Sequence, residues 1–133
     1  LLAAVAAVKC ELGTRLREAY LAEDKETLEE IALQELPALW KKVQKMHKLR
    51  EEIWQEECKP NGYEVLDVRF AGVEARLKTA RRRILDYLDG KTAELTELEE
   101  ERLPYYKNSA GEAEPVKCNL WEDIVSAANI TGV

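Results

Sequence analysis

The sequence predicts an all-α protein, an antiparallel bundle of about three long helices followed by short C-terminal helices. Three observations lead to this prediction. Only six Gly and four Pro occur in 133 residues, so the chain has few of the residues that favour turns. Apolar residues make up 46% and charged residues 35% of the chain, a balance typical of a globular, helix-rich protein. The apolar residues recur at helical spacing, and the length fits one helical domain over residues 1–133.

A first helix is predicted over residues 2–22, with one apolar face. That face consists of Val5, Val8, Leu12, Leu16 and Ala19. Asp24 has a side chain suited to capping the N-terminus of a second helix, which starts near Lys25. Pro37 lies in the run that follows. Because proline lacks a backbone donor, we expect a kink or a short break after Leu36.

The helix predicted from Pro37 to Cys58 has a buried stripe and an aromatic edge. The stripe consists of Leu39, Val43, Met46, Leu49 and Ile53. Trp40, His47 and Trp54 are spaced seven residues apart, so they lie along one edge of this helix. Such an edge either lines a ligand groove or forms the rim of a helix–helix contact, and the rim is the more common case.

The helix predicted from Gly62 to Asp89 has the clearest periodicity. Its apolar residues alternate spacings of four and three, at Leu66, Phe70, Val73, Leu77, Ala80, Ile84 and Tyr87. Burying this stripe contributes roughly 10 kcal/mol before conformational entropy is subtracted, so the helix must pack on other helices, a second subunit or another domain. Asp67 and Glu74 share one polar flank, typical of an interface rim. Gly90 suits the end of the helix.

A short helix is predicted after this long one. Thr96 and Glu99 have the spacing of a capping box for a helix that reaches Leu103 and stops at Pro104. The acidic run over residues 97–101 is interpreted as a solvated face.

The last part of the chain is predicted to hold one more short helix. Residues 105–118 have the composition of a loop. Asn119 and Glu122 suggest a second capping box, which opens a helix through about residue 128. The tail after it has no assigned structure.

Composition argues against several partners. The net charge of −6 disfavours nucleic-acid binding, and the only basic cluster, Arg81-Arg82-Arg83, fans around its helix. No apolar run reaches 18 residues, so no membrane span is expected. Cys10, Cys58 and Cys118 are odd in number and lack CxxC spacing, which indicates reduced thiols in a cytoplasmic protein. The start at Leu1, without Met, is interpreted as a helix cut from a longer protein.

No residue of this chain is predicted to be catalytic, and neither a metal nor a cofactor is expected. His47 and Cys58 are eleven residues apart, about 16 Å along a helix, too far for a local nucleophile–base pair. One His and scattered Cys make no metal cluster. Motifs such as GxSxG, the P-loop and GxGxxG do not occur.

The segment from Lys59 to Gly72, called the junction below, has the composition of a tight turn leading into a helix. Asn61 and Glu64 have the spacing of a capping pair. Carboxylates at Glu64 and Asp67 offset the positive end of the helix dipole, so the turn disfavours phosphate and suits hydroxyl or amide donors. These side chains either cap structure and form ion pairs or contact a substrate or a partner's active site. The candidate substrate- or interface-proximal residues are Trp54, Tyr63, Glu64, Asp67 and Arg69.

The junction resembles part of the C-terminal helical domain of bacterial exo-β-N-acetylglucosaminidases (β-N-acetylhexosaminidases) of glycoside hydrolase family 20. The shared pattern is Lys-Pro-aromatic-Gly-aromatic-Glu-Val-x-Asp-x-Arg-x-Gly-Gly, after a helix that bears a Trp. Asn61 replaces the usual aromatic residue and Ala71 the first of the two glycines. The matching residues are Lys59, Pro60, Gly62, Tyr63, Glu64, Val65, Asp67, Arg69 and Gly72, with Trp54 upstream. Similarity extends over nearly the whole chain, at Glu11-Leu12-Gly13, Arg17, Tyr20, residues 77–90 and 97–104, and residues 121–126.

The resemblance implies a larger parent enzyme with an upstream TIM-barrel catalytic domain. An adjacent Asp-Glu pair in that barrel, outside this chain, would support a retaining mechanism assisted by the substrate's 2-acetamido group. This differs from the scheme in which a second carboxylate is the nucleophile. Such enzymes are typically dimeric and cytoplasmic, and the helical domain packs beside the barrel.

Our leading hypothesis is therefore an accessory helical domain of a β-N-acetylhexosaminidase. Its expected partners are the upstream barrel of the same chain, a second copy in a homodimer, and a carbohydrate substrate reached through the parent enzyme. The alternative is a stand-alone helical interaction module that binds a partner helix through its heptad stripe. An enzyme in its own right is disfavoured, because the chain has no recognisable catalytic constellation.

Overall fold

The structure, a computed structural model, describes residues 1–100. Within them, α-helices cover Leu2–Leu21 (α1), Lys25–Glu30 (α2), Leu36–Glu57 (α3), Glu64–Leu88 (α4) and Thr96–Glu99 (α5), and a π-helical turn over Ile31–Glu35 joins α2 to α3. This part of the chain contains no strand, and the all-α prediction is confirmed. The loop and the helix predicted after residue 104 lie outside the described residues. A single domain over residues 1–133 stays a prediction.

The long helices pack in an antiparallel register. Trp40 Nε1 donates to Glu74 Oε2 over 2.8 Å, and His47 Nε2 lies 2.8 Å from Asp67 Oδ1. Residue numbers therefore rise along α3 as they fall along α4. On the other side of the bundle, Arg15 of α1 forms a bidentate ion pair with Glu35, at 2.8 and 2.9 Å. The predicted antiparallel bundle follows from these pairs.

All five α-helices contribute to one core, α5 through the partly buried Leu98. The most deeply buried large side chains are Leu28, Ile31, Leu39, Val43, Ile84 and Leu95. On α1, the predicted face is confirmed, since Val5, Leu12 and Ala19 are buried and Val8 and Leu16 pack against the core. The stripe of α4 is half-buried apart from Ile84. Burial of these side chains in one core holds the three long helices together.

The predicted burial of Leu49 is wrong, since 43% of its surface is exposed. The antiparallel register explains this result. Arg15 lies level with Glu35, so the start of α1 lies level with the middle of α3. The last turns of α3, which hold Leu49, therefore extend beyond the start of α1.

The connection between α1 and α2 is tight and capped on both sides. Asp24 Oδ1 accepts a hydrogen bond from the Thr27 amide over 3.1 Å, which confirms the predicted cap. Hydrogen bonds from the hydroxyl and amide of Thr27 lower the pKa of Asp24. Glu23 has a positive φ of 55°, a conformation more usual for glycine at a helix C-terminus. Its amide donates to the Tyr20 carbonyl over 3.1 Å, which closes α1.

Gly90 ends α4 as predicted. With φ at +72°, its amide donates to the Tyr87 carbonyl over 3.0 Å, while the Lys91 amide donates to the Asp86 carbonyl over 2.8 Å. This is the hydrogen-bond pattern of a Schellman motif, in which a left-handed residue satisfies the last carbonyls of the helix.

The interruption expected beside Pro37 is a π-helical turn that lies just before it. The Leu36 amide donates to the Ile31 carbonyl, five residues back. Continuing this pattern would pair the amide of residue 37 with the Ala32 carbonyl, but proline has no amide hydrogen. Arg81 Nε of α4 donates to that carbonyl over 3.1 Å. The side chain of a neighbouring helix thus satisfies the acceptor that Pro37 leaves open.

The predicted Asn61–Glu64 capping pair is wrong. The residue that caps α4 is Tyr63, without a side-chain bond, and the helix begins at Glu64 itself. Glu64 Oε2 instead accepts the Gly62 amide over 2.8 Å. The carboxylate still satisfies a donor before the helix, but the turn is one residue tighter than a capping box requires.

The capping box predicted from Thr96 and Glu99 is also wrong, because Glu99 accepts a hydrogen bond from another helix. Residue Leu95 precedes the helix without a side-chain cap, and α5 ends at Glu99 rather than at residue 103. The Tyr20 hydroxyl of α1 donates to the Glu99 carboxylate and accepts the Leu95 amide over 3.1 Å. Leu103 and Pro104 lie outside the described residues.

The acidic run after residue 96 is more than the solvated face that we expected. Glu97 forms a bidentate ion pair with Arg83, at 2.8 and 2.9 Å. The hydrogen bond from Arg83 lowers the pKa of Glu97 to about 2. Arg17 of α1 holds the same segment by donating from Nε to the Leu98 carbonyl over 2.9 Å. Residues 95–99 are therefore fastened to both α1 and α4.

Candidate functional site

Four rings form a continuous stack beside the junction. Trp54 and Tyr63 have ring centroids 5.8 Å apart and planes tilted by 58°. His47 stacks nearly parallel to Tyr63 at 6.2 Å and to Phe70 at 4.5 Å. We call these four residues the aromatic stack. They come from the second half of α3, the turn and the start of α4, so the stack fastens the turn to both helices.

Hydrogen bonds fix the polar ends of two of these rings. Trp54 Nε1 donates to the Lys59 carbonyl over 2.8 Å, which closes the turn onto α3. The Tyr63 hydroxyl donates to the His47 carbonyl over 3.1 Å. Only 8% of Tyr63 is exposed, and burial, assisted by the charge of Asp67, raises its pKa. The phenol therefore stays protonated near neutral pH and remains a donor.

His47 lies between two carboxylates of α4. Its Nε2 is 2.8 Å from Asp67, and its Nδ1 is 3.9 Å from Glu74. Glu74 also accepts the hydrogen bond from Trp40. The edge of α3 predicted from Trp40, His47 and Trp54 is thus a rim of the contact with α4 and the junction, as is the flank of Asp67 and Glu74.

The turn itself depends on Gly62. Its φ of +99° belongs to a region that residues with a Cβ rarely adopt. A Cβ built at this position would lie 3.7 Å from Trp54 Cζ2, an ordinary van der Waals distance. The requirement for glycine here is therefore conformational, with the Trp54 ring lying directly against the turn.

The structure brings together three of the five candidate residues. Trp54, Tyr63 and Asp67 meet in or beside the aromatic stack. Glu64 lies in the turn and is bonded to its backbone. Arg69 is half-buried, and because it follows Asp67 by two helical residues it lies about 160° around α4 from it. The five residues thus occupy two sides of one helix start.

The junction has hydrogen-bond acceptors and aromatic side chains, and its carboxylates Glu64 and Asp67 are both bonded within the fold. Cys58, at the end of α3, is an exposed free thiol. Within residues 1–100, no cluster of three His, Cys, Asp or Glu side chains is arranged to hold a metal ion. In the same range, no helix is both long and apolar enough to cross a bilayer.

A second feature lies further along the contact between α3 and α4. A groove of about 420 Å³ opens there beside Pro37 and Trp40. We call it the Trp40 groove. The Nζ of Lys78 lies 4.5 Å from the centroid of the Trp40 ring. Its lining residues are Leu36, Pro37, Trp40, Leu77, Lys78 and Arg81.

Reasoning from the sequence missed several of the residues that build these features. His47 and Phe70 complete the aromatic stack, and Tyr20 holds α5, but none of them was a candidate. The antiparallel register was a usable signal. Once Trp40 is set opposite Glu74, position 47 falls opposite position 67, where a His and an Asp are a natural pair.

Comparison with known families gives a match over most of the chain. Residues 1–119 match the profile of the family described as the Glycoside Hydrolase 20C C-terminal domain. The match covers all of the described helices and continues past them. A search of the curated proteins found no match to this chain.

Proposed function

Because this chain belongs to the Glycoside Hydrolase 20C C-terminal domain family, it is an accessory domain of a glycoside hydrolase, and we propose that its parent is a β-N-acetylhexosaminidase. The proposed substrate is a glycan that ends in β-linked N-acetylglucosamine or N-acetylgalactosamine. The proposed chemistry is retaining: the substrate's 2-acetamido group attacks the anomeric carbon, and the Glu of an Asp-Glu pair in the upstream barrel acts as the acid and then as the base.

The role that we propose for this chain is to support the barrel and to contribute to a homodimer interface. The observation that carries this proposal is the construction of the junction. Two aromatic residues, Trp54 and Tyr63, are hydrogen-bonded to backbone carbonyls and pack on a turn with a positive-φ glycine. Such a turn is held in one conformation. A surface that docks on a neighbouring domain needs a fixed shape of this kind.

The proposal places the junction near the edge of the active site without giving it a chemical step. Its carboxylates are already engaged, Glu64 by the Gly62 amide and Asp67 by His47. Carboxylates bonded in this way hold the loop in place, which is the role that we propose for both. Trp54 and Tyr63, together with Arg69 on the other side of α4, are therefore proposed as interface-proximal residues.

The same proposal includes a cytoplasmic location and a carbohydrate substrate that reaches only the parent enzyme. Cys10 and Cys58 are exposed free thiols, which remain reduced in the cytoplasm.

The proposal is tested with three proteins: the full-length parent, the parent lacking residues 1–133, and this chain alone. Each is assayed on an aryl β-N-acetylglucosaminide. We expect activity in the parent and none in the isolated chain. A full-length parent without hexosaminidase activity, or activity in the isolated chain, would contradict the proposal.

The supporting role is tested separately by stability. The truncated parent is expected to melt at a lower temperature than the full-length enzyme, and adding this chain in trans is expected to restore part of the difference, because ligands of the native state stabilise it. Sedimentation of the two parents compares their oligomeric states. Equal melting temperatures and an unchanged dimer would refute both parts of the proposed role.

A further inference from the structure

The Trp40 groove has a size and lining that suit a small ligand. Its volume of about 420 Å³ lies in the range of small-molecule sites. Leu36, Pro37 and Leu77 supply apolar surface, and Trp40 supplies an aromatic ring. The indole is held in place by its hydrogen bond to Glu74, so the aromatic wall is preformed.

Two cations line this groove without a carboxylate partner among residues 1–100. Arg15, Arg83 and Lys91 each form an ion pair within 2.8 Å of an acidic side chain in that range. Lys78 instead lies over the Trp40 ring, and Arg81 uses Nε for a backbone carbonyl. In a chain with a net charge of −6, the groove is therefore a local site of positive charge.

The positions of these cations are set by the fold. The Trp40 ring holds the Lys78 ammonium by a cation–π contact, and the open carbonyl beside the π-helical turn holds the Arg81 guanidinium. Residues 78 and 81 are three apart on α4, so they project from neighbouring positions of one face. Fixed cations lose little conformational freedom when a ligand binds, which favours binding.

We propose that the Trp40 groove binds a carboxylate-bearing saccharide of one or two rings. The carboxylate meets Lys78 and the free edge of the Arg81 guanidinium, in the charge-assisted geometry that arginine offers. The sugar ring packs its C–H surface against Pro37 and Leu77. The choice of a saccharide rests on the proposed function, whereas the requirement for a negative charge on the ligand rests on the two cations alone.

The test uses saturation-transfer NMR and calorimetry on the full chain, with glucuronate as the probe and glucose as its uncharged match. Glucuronate is expected to bind, and glucose is expected to show no saturable binding. Lys78→Ala is expected to weaken glucuronate binding about tenfold, as the loss of one charge-assisted contact does. Lys78→Arg keeps the charge and is expected to retain binding. Lys9→Ala removes the same charge from an exposed site on α1, which does not line the groove, and is the matched control.

Within residues 1–100, the Lys78 ammonium makes a cation–π contact but no hydrogen bond or ion pair, so its substitution is expected to leave the fold intact, and far-UV circular dichroism checks this. Equal binding of glucose and glucuronate would overturn the proposal. Glucuronate binding that Lys78→Ala leaves unchanged would also overturn it. The test is independent of the parent's reaction, since a parent without hexosaminidase activity would refute the proposed function and leave Lys78-dependent glucuronate binding intact.

Discussion

Replacing Gly62 by alanine tests whether the backbone of the turn, rather than its packing, requires glycine. At φ of +99°, an L-residue costs about 1–2 kcal/mol relative to its usual conformations. The restricted unfolded chain of the alanine variant offsets about 0.4–1 kcal/mol of this cost. The new methyl group meets Trp54 at 3.7 Å, so no steric cost is added. We expect a net loss of about 1 kcal/mol from the free energy of unfolding, or about 4 °C in Tm.

Two other glycines provide matched controls. Gly90 has φ of +72° and open space around it, so Gly90→Ala is expected to destabilise the chain for the same conformational reason. Gly13 lies in the middle of α1, exposed and without a positive φ, so Gly13→Ala is expected to stabilise the chain by about 0.5–1 kcal/mol. The same substitution thus has opposite signs at different positions.

Urea unfolding at neutral pH, followed by the helical circular dichroism signal, measures all three variants. Changes in the midpoint at constant slope report stability. A Gly62→Ala variant as stable as the unmodified chain, alongside a destabilised Gly90→Ala variant, would refute the reasoning for the junction. It would mean that the turn relaxes to another conformation without cost, which is incompatible with a rigid docking surface.

Four further predictions concern the same fold. Tyr63→Phe is expected to cost about 1 kcal/mol, measured by urea unfolding, because it removes a buried hydrogen bond to α3. Glu64→Gln, assayed in the parent, is expected to lower Tm more than it raises KM; a large rise in KM at unchanged Tm would contradict a structural role. Glu97 has a pKa lowered from 4.5 to about 2, so the stability from its pair with Arg83 is complete above pH 4.5 and is lost as the pH falls toward 2. The Tm difference between the unmodified chain and Glu97→Gln is therefore expected to shrink from about pH 6 to about pH 3. Glu23→Gly relieves a positive φ and is expected to add about 0.5–1 kcal/mol, measured in thermal melts.

The helices were predictable because their signals are local. Asp24 caps α2 through a residue three positions away, and Gly90 ends α4 through bonds within one turn. The alternating spacings of four and three between apolar residues along α4 indicate a buried face, whichever element packs against it. The family, too, was predictable from the residues of the junction, and the match over residues 1–119 confirms it.

The errors arose where distant residues decide the outcome. Thr96 and Glu99 satisfy the spacing of a capping box, but Glu99 accepts its hydrogen bond from Tyr20, 79 residues earlier. Leu49 continues an apolar stripe, but its burial depends on how far another helix extends. The Trp40 groove requires side chains of two helices in register, and no local pattern contains that information.

The π-helical turn explains an irregular spacing of core residues along the continuous helical segment formed by α2, the turn and α3. The buried and half-buried positions Leu28, Ile31, Leu36, Leu39, Val43 and Met46 are separated by three, five, three, four and three residues. If one residue is removed between the second and third of them, the spacings become three, four, three, four and three, a regular heptad pattern. The turn therefore accommodates the equivalent of a one-residue insertion. The core-facing sides of α2 and α3 stay aligned across it. Deleting exposed Gln34 should be tolerated for this reason, whereas deleting a residue from the middle of α3 would turn every later side chain by about 100°.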